Sequence, residues 1–424
     1  MRYADAIQFL YGLQLFGANF GLARVQKLAA LAGNPQANLR FIHVAGTNGK
    51  GSTCAMLENI YRAAGLRVGL FTSPHLVSFR ERIQVNRQLI MESELVRLVE
   101  EIQPLLKQFP ADNHLTLFEV VTVMALNYFA EQKCDLVIWE TGLGGRLDAT
   151  NIVTPLASVI TNISFDHQQW LGDSLGKIAA EKAGIIKPGV SVVTATREPE
   201  ALEVIEKAAR EKNAPLLKVD SEFRIQNSGL PLLGEHQKRN AALALATVKV
   251  LQKQISVSEK QIQTGLQNVD WPGRLQLIQK PNGQKILLDG AHNVDGANVL
   301  RAALEKYFST ARPSIIFGAL ADKNWPDICR ILAPLAAKIF TVPVASGRTA
   351  DARELAKVFG TANPAAKAVA AESLAVALNA SKDEPFVIIT GSLYLVGEAL
   401  ERLGLAPADA GGRGLNEWSA PKIR

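Results

Sequence analysis

The sequence predicts an α/β protein made of a larger N-terminal and a smaller C-terminal doubly wound domain. Two features of its 424 residues lead to this prediction. Short apolar runs of strand length alternate with longer amphipathic segments of helical period along most of the chain. The alternation is interrupted at Trp271-Pro272-Gly273-Arg274, and a hairpin-like segment that turns at Pro281-Asn282-Gly283 follows. Since one hydrophobic core rarely serves a chain of this length, we expect a domain boundary in this region.

The composition excludes several classes of protein. Hydrophobic residues make up 48% of the chain, but no apolar run is long enough to span a membrane, and the first residues lack a signal-peptide pattern. The three cysteines, Cys54, Cys134 and Cys329, are scattered, which predicts a reducing cytoplasmic environment without disulfides or a cysteine zinc site. The net charge of +6 comes without a dense basic tract, so we expect small anionic ligands rather than nucleic acid.

The stretch Phe41–Thr53, with the sequence FIHVAGTNGKGST, has the form of a strand, a glycine loop and a helix start. It follows residues 1–40, which we expect to be mostly helical with a turn at 16–21. Glycines let the backbone approach a ligand closely, and the free N–H groups and dipole of a helix N-terminus favour an anion. The sequence therefore predicts a phosphate-binding loop, which makes the first domain one of P-loop type.

The spacing within this loop is unusual. The common pattern is G-x-x-x-x-G-K-[ST], whereas here only two residues separate Gly46 from Gly49, and Gly51 follows Lys50. An ordinary strand-to-helix turn with a solvated lysine is the alternative interpretation. Phosphate binding is favoured because three glycines, a lysine and two hydroxyl side chains coincide at one junction.

Polar side chains follow the next predicted strands. Strand 67–73 ends at Ser73, strand 135–140 ends at Glu140, and strand 158–163 is followed by Asp166 and His167. Ligands of open α/β sheets bind at the carboxyl ends of the strands, and a carboxylate near a phosphate loop suits Mg²⁺. Taken singly, the serine is as easily a turn or cap residue, the glutamate an exposed charge and the histidine a structural side chain.

The rest of the first domain offers two further candidates. Loop 141–151 is rich in glycine and must pass close to either backbone or ligand, which composition does not distinguish. Lys182 lies in a predicted helix among apolar residues, and from the pattern alone we expect a solvated lysine. Helices are predicted at residues 93–109, 118–132, 174–186, 237–254 and 258–268.

A second α/β series begins at Lys285. Its first strand leads into Asp289-Gly290-Ala291-His292-Asn293 and its last into Gly391-Ser392, so polar groups again follow strand ends. We expect domains at residues 1–280 and 281–404 and a flexible tail at 405–424. The strands of this series are predicted at 285–290, 314–318, 338–343 and 386–390, and the helices at 294–307, 325–337, 351–359, 371–381 and 393–403.

Six motifs stand in a specific order along the chain. They are AGTNGKGS at 45–52, TSPHL at 72–76, ETGLGGRLDATN at 140–151, Asp166-His167 with Leu171-Gly172, EKAGI at 181–185 and DGAHN at 289–293. Together they resemble the motifs of folylpolyglutamate synthases and dihydrofolate synthases, which belong to the Mur ligase superfamily. The resemblance runs from about residue 5 to residue 404, and the shortened phosphate loop is the form found in that superfamily.

The resemblance implies an ATP-dependent ligase that joins an acid to an amino acid. ATP would phosphorylate a carboxylate of a pteroate or folate, and the amine of L-glutamate would then attack the acyl phosphate. An acyl phosphate has a good leaving group, whereas a free carboxylate would have to expel oxide. The family is usually monomeric, so we expect a monomer.

The resemblance also implies roles for individual residues. ATP would be bound by Asn48, Gly49, Lys50, Gly51, Ser52, Asn240, Arg274 and Asp289. Two Mg²⁺ ions would be held, one near Ser52 and one by Ser73, Glu140 and His167. The pterin would contact Asn19, Phe20, Gly21, Thr116, Leu117, Phe118, Glu119, Leu147, Asp148 and Ala149, and glutamate would contact His292 and Ser392. The catalytic residues would be Lys50, His292 and Lys182, the last as a carbamate made from CO₂, which reverses its pattern-based interpretation.

The sequence departs from the family pattern at three points. Ala23 stands within Gly-Leu-Ala-Arg where Gly-Leu-Glu-Arg is usual, Asn19 stands where a bifunctional form has aspartate, and Val294 replaces a frequent proline. The first two concern the pterin, so the choice between a bifunctional enzyme and a folylpolyglutamate synthase stays open. The largely intact pterin segments favour the bifunctional enzyme.

Two rival functions are weaker. A Mur-type ligase for cell-wall peptides carries a nucleotide-sugar domain ahead of the phosphate loop, for which residues 1–40 are too short. An ATP-binding switch without ligase chemistry would have no use for His167, Lys182 and a second domain that bears His292.

Overall fold

The computed structural model describes residues 1–14, 21–110, 113–219 and 229–407. These residues form two mixed sheets, each with helices on both faces, which confirms the predicted fold class. The strands of the first sheet are β1 (Phe41–Ala45), β2 (Val68–Phe71), β3 (Ile83–Val85), β4 (Gln88–Leu89), β5 (Leu136–Glu140), β6 (Ala157–Ile160), β7 (Ser191–Thr194) and β8 (Leu216–Lys218).

The first sheet has the order β4-β3-β2-β5-β1-β6-β7-β8 and is parallel except for its β3 and β4 edge. The predicted β1–helix–β2 unit exists, but β5 lies between its two strands. Strand pairing sets Val44 opposite Glu140 and Ala45 opposite Ile160. The carboxyl ends of β1, β5 and β6 therefore meet at one edge of the sheet, where ligands of such folds bind.

Helices cover both faces of this sheet because alternate strand residues point to opposite sides. In β5, Val137 and Trp139 pack into the core under the N-terminal helices, whereas Leu136 and Ile138 pack under the helix after the phosphate loop. The helices are α1 (Tyr3–Gln14), α2 (Ala23–Leu31), α3 (Lys50–Ala63), α4 (Glu92–Leu106), α5 (Leu117–Glu131), α6 (Gln168–Leu171), α7 (Leu175–Ala183), α8 (Pro199–Glu211), α9 (Glu235–Leu251) and α10 (Glu259–Gln267).

The second sheet is built from six strands. They are β9 (Gln276–Gln279), β10 (Lys285–Leu288), β11 (Ser314–Phe317), β12 (Lys338–Thr341), β13 (Lys367–Ala370) and β14 (Phe386–Thr390), in the order β13-β12-β11-β14-β10-β9. Only β9 runs antiparallel to its neighbour within this sheet. Its helices are α11 (Val294–Tyr307), α12 (Trp325–Leu332), α13 (Ala352–Ala362), α14 (Leu374–Ala380) and α15 (Leu393–Arg402).

Several predicted bounds need correction. The hairpin at Pro281 joins β9 to β10, so residues 276–279 lie in the same sheet as residues 285–288, and a boundary at residue 281 would divide that sheet. The predicted helix 325–337 ends at Leu332 and continues as a short 3₁₀ turn, Ala333–Leu335, which contains a proline. The segment before α14 contains β13, an edge strand with largely exposed side chains that carries little apolar signal.

Among the described residues, no helix has both the length and the apolar character needed to cross a membrane.

Candidate active site

A cleft between the two sheets brings together most of the predicted site residues. It encloses a cavity of about 320 Å³. Predicted site residues from both domains line it: Asn48, Gly49, Lys50, Gly51, Ser52, Ser73, Phe118, Glu140, His167, Lys182, Asn240, Arg274, Asp289, His292 and Ser392.

The phosphate loop lies between β1 and α3 at the floor of this cleft. Gly49 has φ +84° and directly precedes the first residue of α3. A Cβ atom there would lie 2.4 Å from the Asn240 Oδ1 atom, and one at Gly46 would lie 1.7 Å from Thr161 Oγ1. Both positions therefore require glycine, and the tight turn leaves the N-terminus of α3 open toward the cavity, as an anion site needs.

The Lys50 ammonium lies over the same loop. Its Nζ atom donates to the carbonyl oxygens of Gly46, at 3.0 Å, and Thr47, at 3.1 Å. The loop thus holds a positive charge beside its own backbone, and the alternative of a freely solvated lysine is wrong.

Asn162 supports the loop and was not singled out from the sequence. Its backbone oxygen accepts from Thr47 N at 2.8 Å, and its Oδ1 accepts from Asn48 N at 2.7 Å. Thr161, its neighbour, donates through Oγ1 to the Asn48 carbonyl at 2.6 Å. The available signal was the position of both residues in strand 158–163, which was predicted to end at this edge.

Glu140 is buried at the end of β5, which rules out the alternative of an exposed charge. It is 3% exposed, and its Oε2 accepts from the backbone N of Ser73 at 3.0 Å. Burial raises its pKa to about 7, although Lys50, the Ser73 amide, Arg274 and Arg82 act in the opposite direction. A carboxylate in this position would gain from a divalent cation.

His167 lines the cleft next to Asp166 and is the N-cap residue of α6, with a left-handed backbone, φ +50°. Burial lowers its pKa to about 3, and the nearby Asp166 only partly offsets this effect. The imidazole is therefore neutral near pH 7 and has a lone pair available for a ligand.

The donor set at the cleft fits Mg²⁺. It consists of the Glu140 carboxylate, the Ser52 and Ser73 hydroxyls and the neutral His167 ring, all on the cavity wall. The described ranges contain no group of three or more His, Cys, Asp or Glu side chains that could hold a metal ion. Mg²⁺ commonly keeps several waters and takes only one or two protein carboxylates together with substrate phosphates, so this sparse set is compatible with it.

Lys182 is buried, so the pattern-based expectation of a solvated lysine is wrong. Its side chain reaches from α7 to the phosphate loop, where Nζ donates to the Gly46 carbonyl at 2.8 Å, and the residue is 4% exposed. Burial, reinforced by the charge of Lys50, lowers its pKa to about 7. A substantial fraction of this amine is therefore neutral at physiological pH.

Asp166 joins the two domains. Its Oδ1 pairs with Lys323 Nζ at 2.7 Å, and its Oδ2 accepts from Asn293 Nδ2 at 3.1 Å and lies 3.6 Å from His292 Nε2. Burial alone raises the pKa of Asp166, but the interactions with His292 and Lys323 outweigh it and hold the pKa well below its usual range.

The second domain contributes the DGAHN loop after β10. The Asp289 carboxylate accepts from the backbone N atoms of Leu275 and Ala291, both at 2.9 Å, and burial raises its pKa. His292 Nδ1 lies 2.7 Å from the Gly290 carbonyl. A carbonyl oxygen only accepts, so Nδ1 carries a proton, and Nε2 is directed toward Asp166 Oδ2 at 3.6 Å.

Ser392 already has a structural partner. Its Oγ accepts from Tyr394 N at 3.2 Å and caps α15, and the residue is 2% exposed. It lines the cavity, but a cap role accounts for its hydroxyl without a ligand.

The predicted pterin residues divide into two groups. Phe118 lines the cavity and packs against Gly142, where a Cβ would lie 2.5 Å from its ring. Asn19 and Phe20 lie outside the described residues, whereas Gly21 lies within them but is not part of the cavity wall. The remainder also lie away from that wall: Thr116, Leu117, Glu119, Leu147, Asp148 and Ala149.

Several of these residues have partners within the fold. Thr116 and Glu119 form a capping box at the start of α5, and Glu119 also pairs with Arg24 at 3.0 Å. Asp148 accepts from the backbone N atoms of Gly142 and Leu143, at 3.0 and 2.8 Å. These carboxylates brace the walls around the cleft.

Further charged and polar residues line the cleft without having been singled out. No strand-end motif marks most of them, since they reach the cavity from helix starts and from loops between domains. They are Arg82, Asn162, His236, Asp295, Lys323, Arg348 and Tyr394.

Comparison with known proteins adds family information to this geometry. The Mur ligase middle domain matches residues 44–220, and the Mur ligase, glutamate ligase domain, matches residues 273–393. The dihydrofolate synthase/folylpolyglutamate synthase of Bacillus subtilis is 37% identical over 95% of this chain and 99% of its own length.

Solved structures with the same kind of name are also similar to this chain. Mycobacterium tuberculosis folylpolyglutamate synthase complexed with ADP has a TM-score of 0.87 at 31% identity, covering 96% of this chain and 100% of that one. Escherichia coli FolC in complex with DHPP and ADP has a TM-score of 0.83 at 32% identity, covering 95% of this chain and 98% of that one. The similarity extends over both domains and both walls of the cleft.

Proposed function

Because the chain belongs to the Mur ligase family, with dihydrofolate synthases and folylpolyglutamate synthases as its relatives, we propose that its cleft joins L-glutamate to dihydropteroate and to folates at the expense of ATP. The chain is an ATP-dependent acid–amino-acid ligase. The observation that carries the proposal is the convergence on one cavity of a phosphate loop, from the first domain, and the His292 loop, from the second.

The phosphate loop and Lys50 would hold the triphosphate. The N-terminus of α3 and the Lys50 ammonium would supply positive charge beside the γ-phosphate. Asn240 lies against Gly49, and Arg274 lies against Gly290, which supports the proposal that both would contact the nucleotide. Asp289, which lines the same cavity, would also contact the nucleotide.

The first chemical step would transfer the γ-phosphoryl group to the acceptor carboxylate. A carboxylate oxygen attacks phosphorus, the bond to the bridging oxygen of ADP breaks, and ADP leaves with that electron pair. Both reactants are anions, so Lys50 and the helix N-terminus contribute chiefly by holding them together and offsetting their repulsion.

Ser52 would lie near one Mg²⁺, and Ser73, Glu140 and His167 would hold a second. Bound there, the two ions would supply charge neutralisation for the phosphates. Glu140 would then be ionised at neutral pH despite its burial, because a cation favours the charged form.

Lys182 would act as a carbamate. Its neutral amine attacks the carbon of CO₂, a C–N bond forms, and one proton is released to solvent, which leaves a carboxylate in place of an ammonium. The lowered pKa supports this proposal, since only the unprotonated amine reacts. The new anion would lie beside Gly46, close to the cationic groups of the loop.

The second chemical step would form the amide. The neutral amine of glutamate attacks the acyl carbon and releases one proton to solvent, the carbon–oxygen bond to phosphate breaks, and inorganic phosphate leaves with the electron pair. His292 and Ser392, which both line the cavity, would contact the bound glutamate. Since the two walls belong to different domains, domain closure would assemble the reacting groups.

The acceptor would lie on the first-domain wall near Phe118. The aromatic ring can stack on a flat pterin or aminobenzoate group. We divide the chain near Gly273, with the ATP and pterin region before it and the glutamate region, up to residue 404, after it.

Release of ADP, with single components omitted, tests this function. With ATP, Mg²⁺, L-glutamate and dihydropteroate present, we expect turnover that stops when either glutamate or the pterin is left out. The Lys50→Ala variant should lose turnover. ADP release that is indifferent to both substrates would instead point to a nucleotide switch.

A further inference from the structure

Asp295 of the second domain reaches the phosphate loop of the first. It lies in the first turn of α11. Its Oδ2 accepts from Asn48 Nδ2 at 2.7 Å and from Asn162 Nδ2 at 2.9 Å, and Ser164 Oγ lies 3.5 Å away. One carboxylate oxygen thus joins three positions of the first domain.

The two asparagines that it contacts set the shape of the loop. Asn162 binds the backbone N atoms of Thr47 and Asn48. Asn48 is itself a loop residue, and its side chain also exchanges hydrogen bonds with Asn293, at 3.1 and 3.3 Å. A displacement of Asp295 would therefore also move the backbone N–H groups of the phosphate loop.

The same turn of α11 is also connected to His292, the proposed glutamate-binding residue. Asn293 caps α11 by accepting from Gly296 N at 2.8 Å, and His292 directly precedes it. Asp295 is only three residues from His292. A displacement of His292 relative to the phosphate loop therefore requires the Asp295 contacts to stretch or break.

We propose that Asp295 is a positioning residue that locks the phosphate loop to the His292 loop, so that the ATP and glutamate sites form together. The inference rests on the proposed function, since it concerns the alignment of those two sites. An ionised oxygen suits the task because charge-assisted hydrogen bonds are roughly twice as strong as neutral ones.

The test compares Asp295→Ala and Asp295→Asn with wild type, and with Glu305→Gln as the matched control. Glu305 is an exposed acid on the same helix, paired with Arg301. We expect Asp295→Ala to raise the KM for ATP and for glutamate about tenfold each, the size of effect expected for a lost hydrogen bond to a charged group. Its KM for the pterin, and its melting temperature, should stay close to those of wild type and of Glu305→Gln.

A reciprocal exchange distinguishes the contact from a general effect of the substitution. Asn162→Asp alone places two carboxylates side by side and should be impaired. Adding Asp295→Asn removes that repulsion and restores one hydrogen bond between positions 162 and 295, while the contact with Asn48 Nδ2 is lost. We expect the double variant to be more active than the Asn162→Asp variant. A double variant no better than the Asn162→Asp variant would overturn the proposal.

Calorimetric ADP binding separates this inference from the proposed function. Loss of ADP affinity in Asp295→Ala, with Glu305→Gln unchanged, supports the positioning role even for a wild type without ligase turnover. The proposal is overturned if the KM values of Asp295→Ala for ATP and glutamate and its Kd for ADP all stay within about twofold of wild type. A rise in the pterin KM equal to the rise in the other two KM values would also overturn it.

Discussion

The Lys182 amine lies 2.8 Å from the carbonyl oxygen of Gly46, so helix α7 contacts the first glycine of the phosphate loop through a single buried side chain. The contact places a titratable nitrogen beside the anion site. Burial lowers the pKa of that nitrogen to about 7. Burial thus leaves part of this amine uncharged, as the proposed carbamate formation would require, next to the groups that would bind ATP.

Removal of this amine should abolish most activity. We expect Lys182→Ala to lower kcat at least a hundredfold, a loss typical of groups that stabilise charge in the transition state, and short carboxylates such as acetate should restore part of it. Lys177→Ala is the matched control, since Lys177 lies on the same helix but is exposed and pairs with Asp173. Full activity of Lys182→Ala would reject the carbamate role.

The phosphate loop should not tolerate a side chain at Gly49. A Cβ there would lie 2.4 Å from Asn240 Oδ1, and the backbone has a positive φ. We expect Gly49→Ala to weaken ADP binding by an order of magnitude or more, because strain and a displaced Asn240 both act on the loop. Gly360→Ala in α13, where a Cβ meets nothing closer than 3.9 Å, should bind ADP as wild type does.

Glu140 should make stability depend on pH in the absence of Mg²⁺. Its pKa is raised from 4.5 to about 7, so folding favours the protonated form. The stabilisation that protonated Glu140 gives to the folded state is fully present below about pH 4.5 and is lost as the pH rises through 7. This loss lowers the free energy of unfolding by on the order of 3 kcal/mol.

Chemical denaturation at pH 5 and pH 8 measures this effect. The Glu140→Gln variant should lose less stability than wild type between the two pH values, and Mg²⁺ should reduce the loss in wild type. Parallel pH profiles for wild type and the variant would contradict the account.

Glu119 should matter for stability. It is nearly fully buried, pairs with Arg24 and caps α5. We expect Glu119→Gln to lower the free energy of unfolding by about 3 kcal/mol, because the neutral side chain replaces a nearly buried carboxylate that pairs with Arg24. Glu131→Gln, at the exposed end of the same helix, should cost under about 0.5 kcal/mol. A stable Glu119→Gln variant with a raised pterin KM would instead identify a direct substrate contact.

The sequence predicts those parts of the site that follow from local patterns. Ser73, Glu140 and His167 were identified because parallel strands bring their carboxyl ends to one edge, and the structure places all three on the cavity wall. The glycine loop and its helix were likewise recognisable from neighbouring residues.

Contacts between distant segments were not predictable in this way. Helical periodicity does not reveal which side of α7 meets the phosphate loop, so the pattern alone predicts a solvated Lys182. The Asp166–Lys323 pair joins residues far apart in sequence and depends on how the two domains sit. Buried polar residues pose a related difficulty, since Asp148 and Glu119 bind backbone and side chains of the fold itself.

Mass spectrometry of the reaction products tests the central claim most directly. Purified protein would be incubated with ATP, Mg²⁺ and L-glutamate, in parallel with dihydropteroate and with tetrahydrofolate. The account predicts that each acceptor gains the mass of one glutamyl residue or more, with one ADP released per addition. Turnover of tetrahydrofolate alone would restrict the enzyme to folylpolyglutamate synthesis, and glutamylation of neither acceptor would contradict the account.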